Sequence, residues 1–261
     1  MDNKSKDNTI DKINSIKEKY KIKNLKIISS AGKLGKVRNM GIVNSSGQWI
    51  AFIDADEIAN PNWLNELMKK TKFYDIILGS INVLNPNLNF ITKFFDLMYH
   101  ESIEYLKNKK DIKGGGTGNL LVNKNIFENG FYFDSNFPTA EDGDFCYRLY
   151  KRGYKFGYNE KAIIFHKMPG NMNHFFFFWK KMILGDLLVF KKHHDFYTLL
   201  KIIFNIFYFI SPKYFKIYKK NNIISKLQFL LLGLTIFFLS LYVIFNPLIL
   251  LNLKNKISRP K

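Results

Sequence analysis

The chain has 261 residues, of which 47% are hydrophobic, and its formal net charge is +19. The apolar content excludes a disordered protein, and the single cysteine, Cys146, excludes a disulfide framework and a cysteine-based zinc site. The length allows one α/β domain with an appendage, or two small domains.

The positive charge predicts an anionic partner, either nucleic acid or a membrane surface. The sequence contains no zinc-finger spacing, RNA-recognition signature or basic zipper. Many lysines instead flank apolar segments, as an anionic lipid surface would favour; they include Lys180, Lys181, Lys191, Lys192, Lys213, Lys216, Lys219 and Lys220. We therefore expect membrane lipids as a partner and no nucleic acid.

The first part of the chain alternates between helix-like and strand-like segments. Isoleucines at helical spacing predict an amphipathic helix over Thr9–Tyr20. Short apolar runs with β-branched residues follow, which is typical of buried strands; they are Leu25–Ser29, Trp49–Ile53, Asp75–Gly79, Gly118–Val122 and Lys161–Phe165. This alternation predicts an α/β fold with a mostly parallel, Rossmann-like sheet flanked by helices.

The composition changes after residue 167, where we place the end of the first domain (1–167). The Phe-rich segment His174–Phe190 predicts a helix in the membrane interface, within an interfacial region 168–212. The last region, 213–261, contains 25 consecutive uncharged residues at 227–251. About 20 apolar residues suffice to cross a bilayer, so these residues predict a transmembrane helix, the buried core helix being the alternative.

Two carboxylates, Asp54 and Asp56, directly follow the predicted strand Trp49–Ile53. The carboxyl end of a buried strand is where α/β sheets bind ligands. Carboxylate oxygens suit Mg²⁺ or Mn²⁺, which in turn bridges phosphates. A solvated turn is the alternative interpretation, and the position after a buried strand favours the metal site.

A second acidic pair, Glu141 and Asp142, opens the segment 141–149. Paired carboxylates at a helix start are often only complements to the helix dipole. Alternatively, one of them is a general base that removes a proton from a hydroxyl group. The pair alone leaves both interpretations open.

Two further residues are candidates because of their position. His166 ends the predicted strand Lys161–Phe165 and is either a structural hydrogen-bonding group or a metal ligand. Arg38 begins a predicted helix before the aspartate pair. It is either an ordinary surface arginine or a partner of carboxylates or phosphates through charge-assisted hydrogen bonds.

Taken in order, these segments resemble the family 2 glycosyltransferases of the GT-A fold. The resembling segments are residues 2–9, 35–41, 52–56, 118–121 and 141–149 with Gly153 and Tyr154, and 164–166. The resemblance covers residues 2 to about 190. Compared with the family, the segment at Asp2 lacks the strand and helix expected before it, so the chain resembles an N-terminally truncated domain.

The resemblance implies a role for each matching residue. Asp2, Arg38, Asp54 and Asp56 would bind the nucleotide-sugar donor, with Asp56 and His166 at a divalent metal ion. Asp142, with Glu141 beside it, would be the base of an inverting transfer. The implied acceptor is a glycan or a lipid-linked molecule at the cell membrane, with the catalytic domain in the cytoplasm. A catalytically inactive, membrane-bound binding or scaffold protein of the same fold is the alternative.

Overall fold

The computed structural model describes residues 1–109, 111–168, 170–194 and 223–246. Its strands are β1 (Trp49–Phe52), β2 (Glu57–Ala59), β3 (Ile76–Val83), β4 (Leu120–Asn123) and β5 (Phe156–His166). Its α-helices are α1 (Thr9–Lys19), α2 (Leu34–Val43), α3 (Trp63–Met68), α4 (Phe90–Asn108), α5 (Lys124–Glu128), α6 (Glu141–Lys151), α7 (Met172–His193) and α8 (Ile223–Phe245).

The strands form one sheet in the order β1-β4-β3-β5-β2, and this sheet is mixed. The prediction of a mostly parallel sheet is therefore wrong, although the α/β class is confirmed. Only β3 and β5 pair in parallel; β4 is antiparallel to both β1 and β3, and β2 is antiparallel to β5. Strands β1, β3 and β5 nevertheless run in the same direction, because β4 lies between β1 and β3 and is antiparallel to both.

Both faces of the sheet are buried, which explains the continuous apolar runs of its central strands. In β3, Ile76 and Leu78 pack with Phe145 of α6 on one face. Ile77 lies between them in sequence and packs with Leu67 of α3 on the other face. Successive strand side chains point to opposite faces, so a run without polar residues requires a covered sheet.

The parallel pairing of β3 with β5 is interrupted between Gly79 and Ser80. The buried side chain of Asn119 lies at this irregularity and donates to the carbonyl oxygens of Ser80 and Ala162, both at 2.8 Å. Its own oxygen accepts from Trp63 Nε1 at 2.7 Å. Asn119 thus satisfies backbone groups that the interrupted ladder leaves unpaired.

Gly79 is expected to tolerate no side chain at this irregularity. A Cβ atom there would lie 2.2 Å from the carbonyl oxygen of Ala162. We expect Gly79→Ala to lower the free energy of unfolding by about 1–3 kcal/mol, as overpacked sites do. The control is Gly143→Ala within α6, where the nearest atom would be 3.8 Å away. Equal urea midpoints for the two variants would contradict the steric explanation.

The N-terminal segment departs from prediction in one respect. The helix expected over Thr9–Tyr20 is confirmed as α1, none of whose residues is buried. The strand expected over Leu25–Ser29 is not formed; Ser29 makes only an isolated parallel bridge with Asp2. A strand requires a hydrogen-bonded neighbour along its length, and in the described residues this segment pairs only at that bridge.

The C-terminal helices pack on α4. Phe175 and Trp179 of α7 are buried against Phe94 and Phe95 of α4, and Ile236 of α8 joins the same cluster. The helix expected over His174–Phe190 is thus present as α7, while its placement in a membrane interface stays a prediction. The apolar segment 196–210 lies outside the described residues.

The transmembrane helix predicted at 227–251 is not found in the described part of the chain. No helix there is long and apolar enough to cross a bilayer. In its place α8 packs on α4 and α7, where Ile236 and Ser240 are buried. Residues 247–251 of the predicted span lie outside the described ranges.

Candidate active site

One edge of the sheet collects nearly all of the candidate residues. The strands β1, β3 and β5 end there, which places Asp54 just after β1 and His166 at the end of β5. Because β4 is antiparallel, it begins at the same edge, preceded by the buried turn Thr117–Asn119. The short strand β2 also begins there, with Glu57 opposite His166.

Arg38 of α2 joins the two acidic segments across this edge. Its Nη2 donates to Asp54 Oδ1 at 3.0 Å, and its Nη1 donates to Glu141 Oε1. The Arg38 side chain is 13% exposed, and its guanidinium also lies over the ring of Phe133. Arg38 is therefore a bridging residue of the site and not an ordinary surface arginine.

Glu141 is the first residue of α6, and its side chain is 4% exposed. Burial raises the pKa of this carboxyl group, as does the charge of Asp142, while Arg38 opposes both. The preceding residue, Ala140, has a left-handed backbone with φ of 59°, which is uncommon outside glycine and asparagine. Glu141 is thus a buried acidic group whose ionised form depends on Arg38.

Asp142 follows at the open side of the same helix start and is half-buried. Its Oδ1 accepts from the backbone N–H of Gly143 at 2.8 Å, and its Oδ2 accepts from that of Thr117 at 3.3 Å. The hydroxyl Oγ1 of Thr117 is buried and has no partner among the described residues. The loop before β4 therefore lies against the candidate base Asp142.

Asp56 and His166 form a second, separate pair at this edge. Asp56 Oδ2 lies 3.2 Å from His166 Nε2, and the Asp56 side chain is 62% exposed. Two ligands about 2.1 Å from one octahedral ion are about 3 Å apart, so the pair fits two adjacent positions around Mg²⁺ or Mn²⁺. The described residues contain no group of three or more His, Cys, Asp and Glu side chains that could hold a metal ion.

The side chains of Asp54 and Asp56 have different partners. Asp54 forms an ion pair with Arg38, whereas Asp56 lies against His166. Sequence reasoning missed the residue after them, Glu57, whose Oε2 accepts from the backbone N–H of Asp54 at 2.8 Å. Burial raises the pKa of Glu57 to about 8, and the charges of Asp54 and Asp56 add to this effect. The sequence signal that could have identified Glu57 is that it is a third carboxyl group directly after the aspartate pair.

Asp2 is engaged in its own turn. Its oxygens accept from the backbone N–H groups of Lys4 and Ser5 and from the hydroxyls of Ser5 and Ser29. The hydrogen bonds with Ser5 lower the pKa of Asp2 most strongly. Within the described residues no hydrogen bond or ion pair joins Asp2 to Arg38, Asp54 or Asp142, so the structure does not bring it into that group.

A fully buried carboxylate supports α6 from behind. Asp144 is 0% exposed and accepts from Arg148 Nε at 2.9 Å and from Lys192 Nζ and His193 Nε2 at 2.8 Å. His193, which lies in the region 168–212 predicted to be interfacial, thus contacts this buried carboxylate from the end of α7. These bonds fasten α7 to the helix that carries Glu141 and Asp142.

Comparison with known proteins agrees with this architecture. The sequence profile described as Glycosyl transferase family 2 matches residues 1–131 of the 261. The mannosyltransferase PcManGT from Pyrobaculum calidifontis, solved with GDP-Man and Mn²⁺, superimposes with a TM-score of 0.56 at 12% identity. That alignment covers 74% of this chain and 54% of the other, and it shows a shared fold.

A second similar structure is that of S. aureus TarS 1-349 in complex with UDP-GlcNAc. It aligns at 20% identity with a TM-score of 0.45, over 71% of this chain and 55% of that one. The chain therefore spans about half the length of these two solved structures. A comparison with curated protein sequences gave no match.

Proposed function

The chain belongs to glycosyl transferase family 2, and from that premise we propose that it transfers a sugar from a nucleotide-sugar donor to a hydroxyl group of a glycan or lipid-linked acceptor. One observation carries the proposal. Arg38 joins Asp54, at the end of β1, to Glu141, beside Asp142 at the start of α6. The candidate donor-binding carboxylates and the candidate base are thereby held at one edge of the sheet.

Asp142 is the residue we propose as the base. A carboxylate that already accepts two backbone N–H bonds is fixed in position and keeps lone pairs for a third partner. As the acceptor hydroxyl attacks the anomeric carbon, its proton passes to Asp142 and the bond from that carbon to the diphosphate oxygen breaks. A single displacement of this kind inverts the configuration of the sugar.

Asp54, Asp56, Arg38 and Asp2 are proposed to bind the donor. Arg38 holds Asp54 in place through a charge-assisted hydrogen bond. Asp56 and His166 would hold a divalent ion, which supplies positive charge to the diphosphate as it departs. Asp2 would bind the donor from its position in the turn beside Ser29, with which it forms a backbone bridge.

The proposed location is the cytoplasmic face of the cell membrane. The supporting observations are the net charge of +19 and the exposed lysines Lys180 and Lys181 on α7. Polybasic surfaces are attracted to anionic headgroups by about 1 kcal/mol per lysine. Membrane lipids are accordingly the proposed partner besides donor and acceptor.

The experiment for this proposal is donor binding measured by calorimetry with UDP- and GDP-sugars, each with and without Mn²⁺. We expect at least one donor to bind in a Mn²⁺-dependent manner. Asp56→Ala is expected to weaken Mn²⁺-dependent binding by a factor of about 10–100, because it removes an ion ligand.

The matched control for Asp56→Ala is Glu128→Ala, which removes an equally exposed carboxylate on α5. Glu128→Ala should leave donor affinity unchanged. If Asp56→Ala kept the metal dependence of the native chain, the ligand role of Asp56 would be wrong. If no nucleotide sugar bound under any condition, the alternative of an inactive scaffold protein would be favoured.

A further inference from the structure

Four large apolar side chains are exposed together where α4 and α7 begin. Their exposed fractions are 72% for Leu88, 37% for Phe90, 40% for Phe176 and 69% for Phe177. We refer to these four residues as the apolar patch. Phe90, Phe176 and Phe177 lie in the first two turns of their helices, and Leu88 directly precedes α4.

The two helix starts are fastened to each other. Asn89, the N-cap of α4, donates to the carbonyl oxygen of Gly170 at 2.8 Å. One turn further on, the ring of Phe94 packs on that of Phe175 with 5.6 Å between centroids. A hydrogen bond and a ring contact therefore hold the starts of α4 and α7 against each other.

The apolar patch lies at the same sheet edge as the candidate active site. β3 ends at Val83, which is opposite His166, and the N–H of Leu84 donates to the His166 carbonyl oxygen at 2.8 Å. The chain reaches Leu88 four residues after Leu84 and reaches α7 six residues after His166. The chain segments that carry the patch therefore leave the sheet at the edge where His166 ends β5.

The two chain segments that carry the patch are basic. Segments 84–95 and 167–185 contain four lysines and no Asp or Glu, and the first acidic residues after them are Asp96 and Asp186. Three of these lysines follow patch residues at helical neighbour spacing: Lys93 comes three residues after Phe90, and Lys180 and Lys181 come three and four after Phe177. Residues spaced by three or four lie on the same helix face. No ion pair within the described residues neutralises these three lysines.

We propose that the apolar patch inserts into an anionic lipid surface and so sets the active-site edge against the membrane. Aromatic and aliphatic side chains would enter the headgroup boundary while the neighbouring lysines bind lipid phosphates. A second copy of the chain fits the patch less well, because it would bring the same lysines against these. The orientation supplies a lipid-linked acceptor to the site; this step and the membrane location rest on the proposed function.

The test uses single-site fluorescent labelling of the full chain. Cys146 is its only cysteine, is buried, and has a thiol whose pKa is raised by burial to about 12, so the native thiol is inert. An environment-sensitive NBD probe is attached at Phe177→Cys. The control is attached at Phe73→Cys, which is equally exposed at 67%. Phe73 precedes the other end of β3, roughly 25 Å from Val83 along an eight-residue strand.

We expect the probe at position 177 to brighten and shift to shorter wavelength with vesicles of phosphatidylcholine containing about 30 mol % phosphatidylglycerol. The probe at position 73 should not respond. Because each probe reports on its own surroundings, other lipid-binding segments cannot produce this difference. The absence of a response at position 177, or equal responses at positions 177 and 73, would overturn the proposal. It would also be overturned if the probe at position 177 responded equally to vesicles of pure phosphatidylcholine and to the anionic vesicles.

A charge variant tests the lysines. Lys180→Gln combined with Lys181→Gln should raise the lipid concentration for half-maximal response at 177 by about tenfold or more. Lys17→Gln combined with Lys21→Gln makes the same charge change at and just after the end of α1 and should leave that concentration unchanged. If the two double variants had equal effects, the attraction would depend only on the overall charge of the protein. That result would contradict a specific patch. Donor binding, measured on the same preparations without vesicles, separates failure of the proposed function from failure of lipid binding.

Discussion

Asp142→Asn is expected to lower the rate of sugar transfer by a factor of about 10²–10⁴, the usual contribution of a general base. Asparagine fills the same space and can still accept one of the two backbone N–H bonds that hold Asp142. It cannot take a proton from the acceptor hydroxyl. Since donor binding is assigned to other residues, donor affinity should change by no more than about twofold.

The measurement is single-turnover transfer to an acceptor, with donor affinity determined separately by calorimetry. Glu104→Gln, on the exposed part of α4, is the control for a carboxylate-to-amide change remote from the site. Normal turnover in Asp142→Asn would show that the base is another group. A parallel loss of donor affinity would place Asp142 in the donor site instead.

Arg38→Met is expected to lower the free energy of unfolding at neutral pH by about 3–5 kcal/mol, because it leaves a buried carboxylate without its partner. Glu141 is the carboxylate concerned, with a side chain that is 4% exposed. Methionine keeps much of the arginine volume, so a cavity adds little to this cost. Glu141→Gln in the same chain should recover most of the loss, since it removes the unpaired charge.

The Arg38→Met effect should depend on pH in a defined direction. Burial and Asp142 already raise the pKa of Glu141 above its ordinary value of 4.5, and Arg38 opposes them. Removing Arg38 raises that pKa further. A carboxyl group whose pKa is higher in the folded state contributes stability that is fully present below its unfolded-state pKa. This contribution is lost as the pH rises through the folded-state pKa. The variant should therefore lose less stability at acid pH than at neutral pH.

Urea unfolding of the native chain, Arg38→Met and the double variant at several pH values measures these differences. Lys107→Met is the control, because it breaks exposed ion pairs with Glu104 and Glu160, each worth about 0–1 kcal/mol. A pH-independent loss in Arg38→Met would mean that packing, and not the charge of Glu141, explains the effect.

The positions of four of the five strands could be predicted from the sequence. The run before Asp54 is a strand, and the run before His166 is the end of a longer strand. The approximate site followed from this, because polar residues after buried strands meet at one sheet edge. The roles of Asp54, Asp56 and His166 in binding donor and metal stay predictions.

Strand direction could not be predicted from the same patterns. A short apolar run such as Leu120–Val122 reads the same whether its neighbours are parallel or antiparallel. Its reversed entry between β1 and β3 made the sheet mixed. Likewise, the segment at Leu25–Ser29 has strand-like composition, but pairing depends on a neighbour and not on composition.

The acidic residues show the same distinction between what the sequence predicts and what the tertiary structure decides. By itself the sequence determined where carboxylates stand relative to strands and helix starts, because hydrophobic periodicity is a local property. Only the tertiary structure decided their partners: Arg38 meets Glu141 across 103 positions, and Asp56 meets His166 across 110. It also separated Asp54 from Asp56 and buried Asp144 against α7. Ion pairs form between groups that folding brings within a few ångströms, and sequence spacing does not encode that distance.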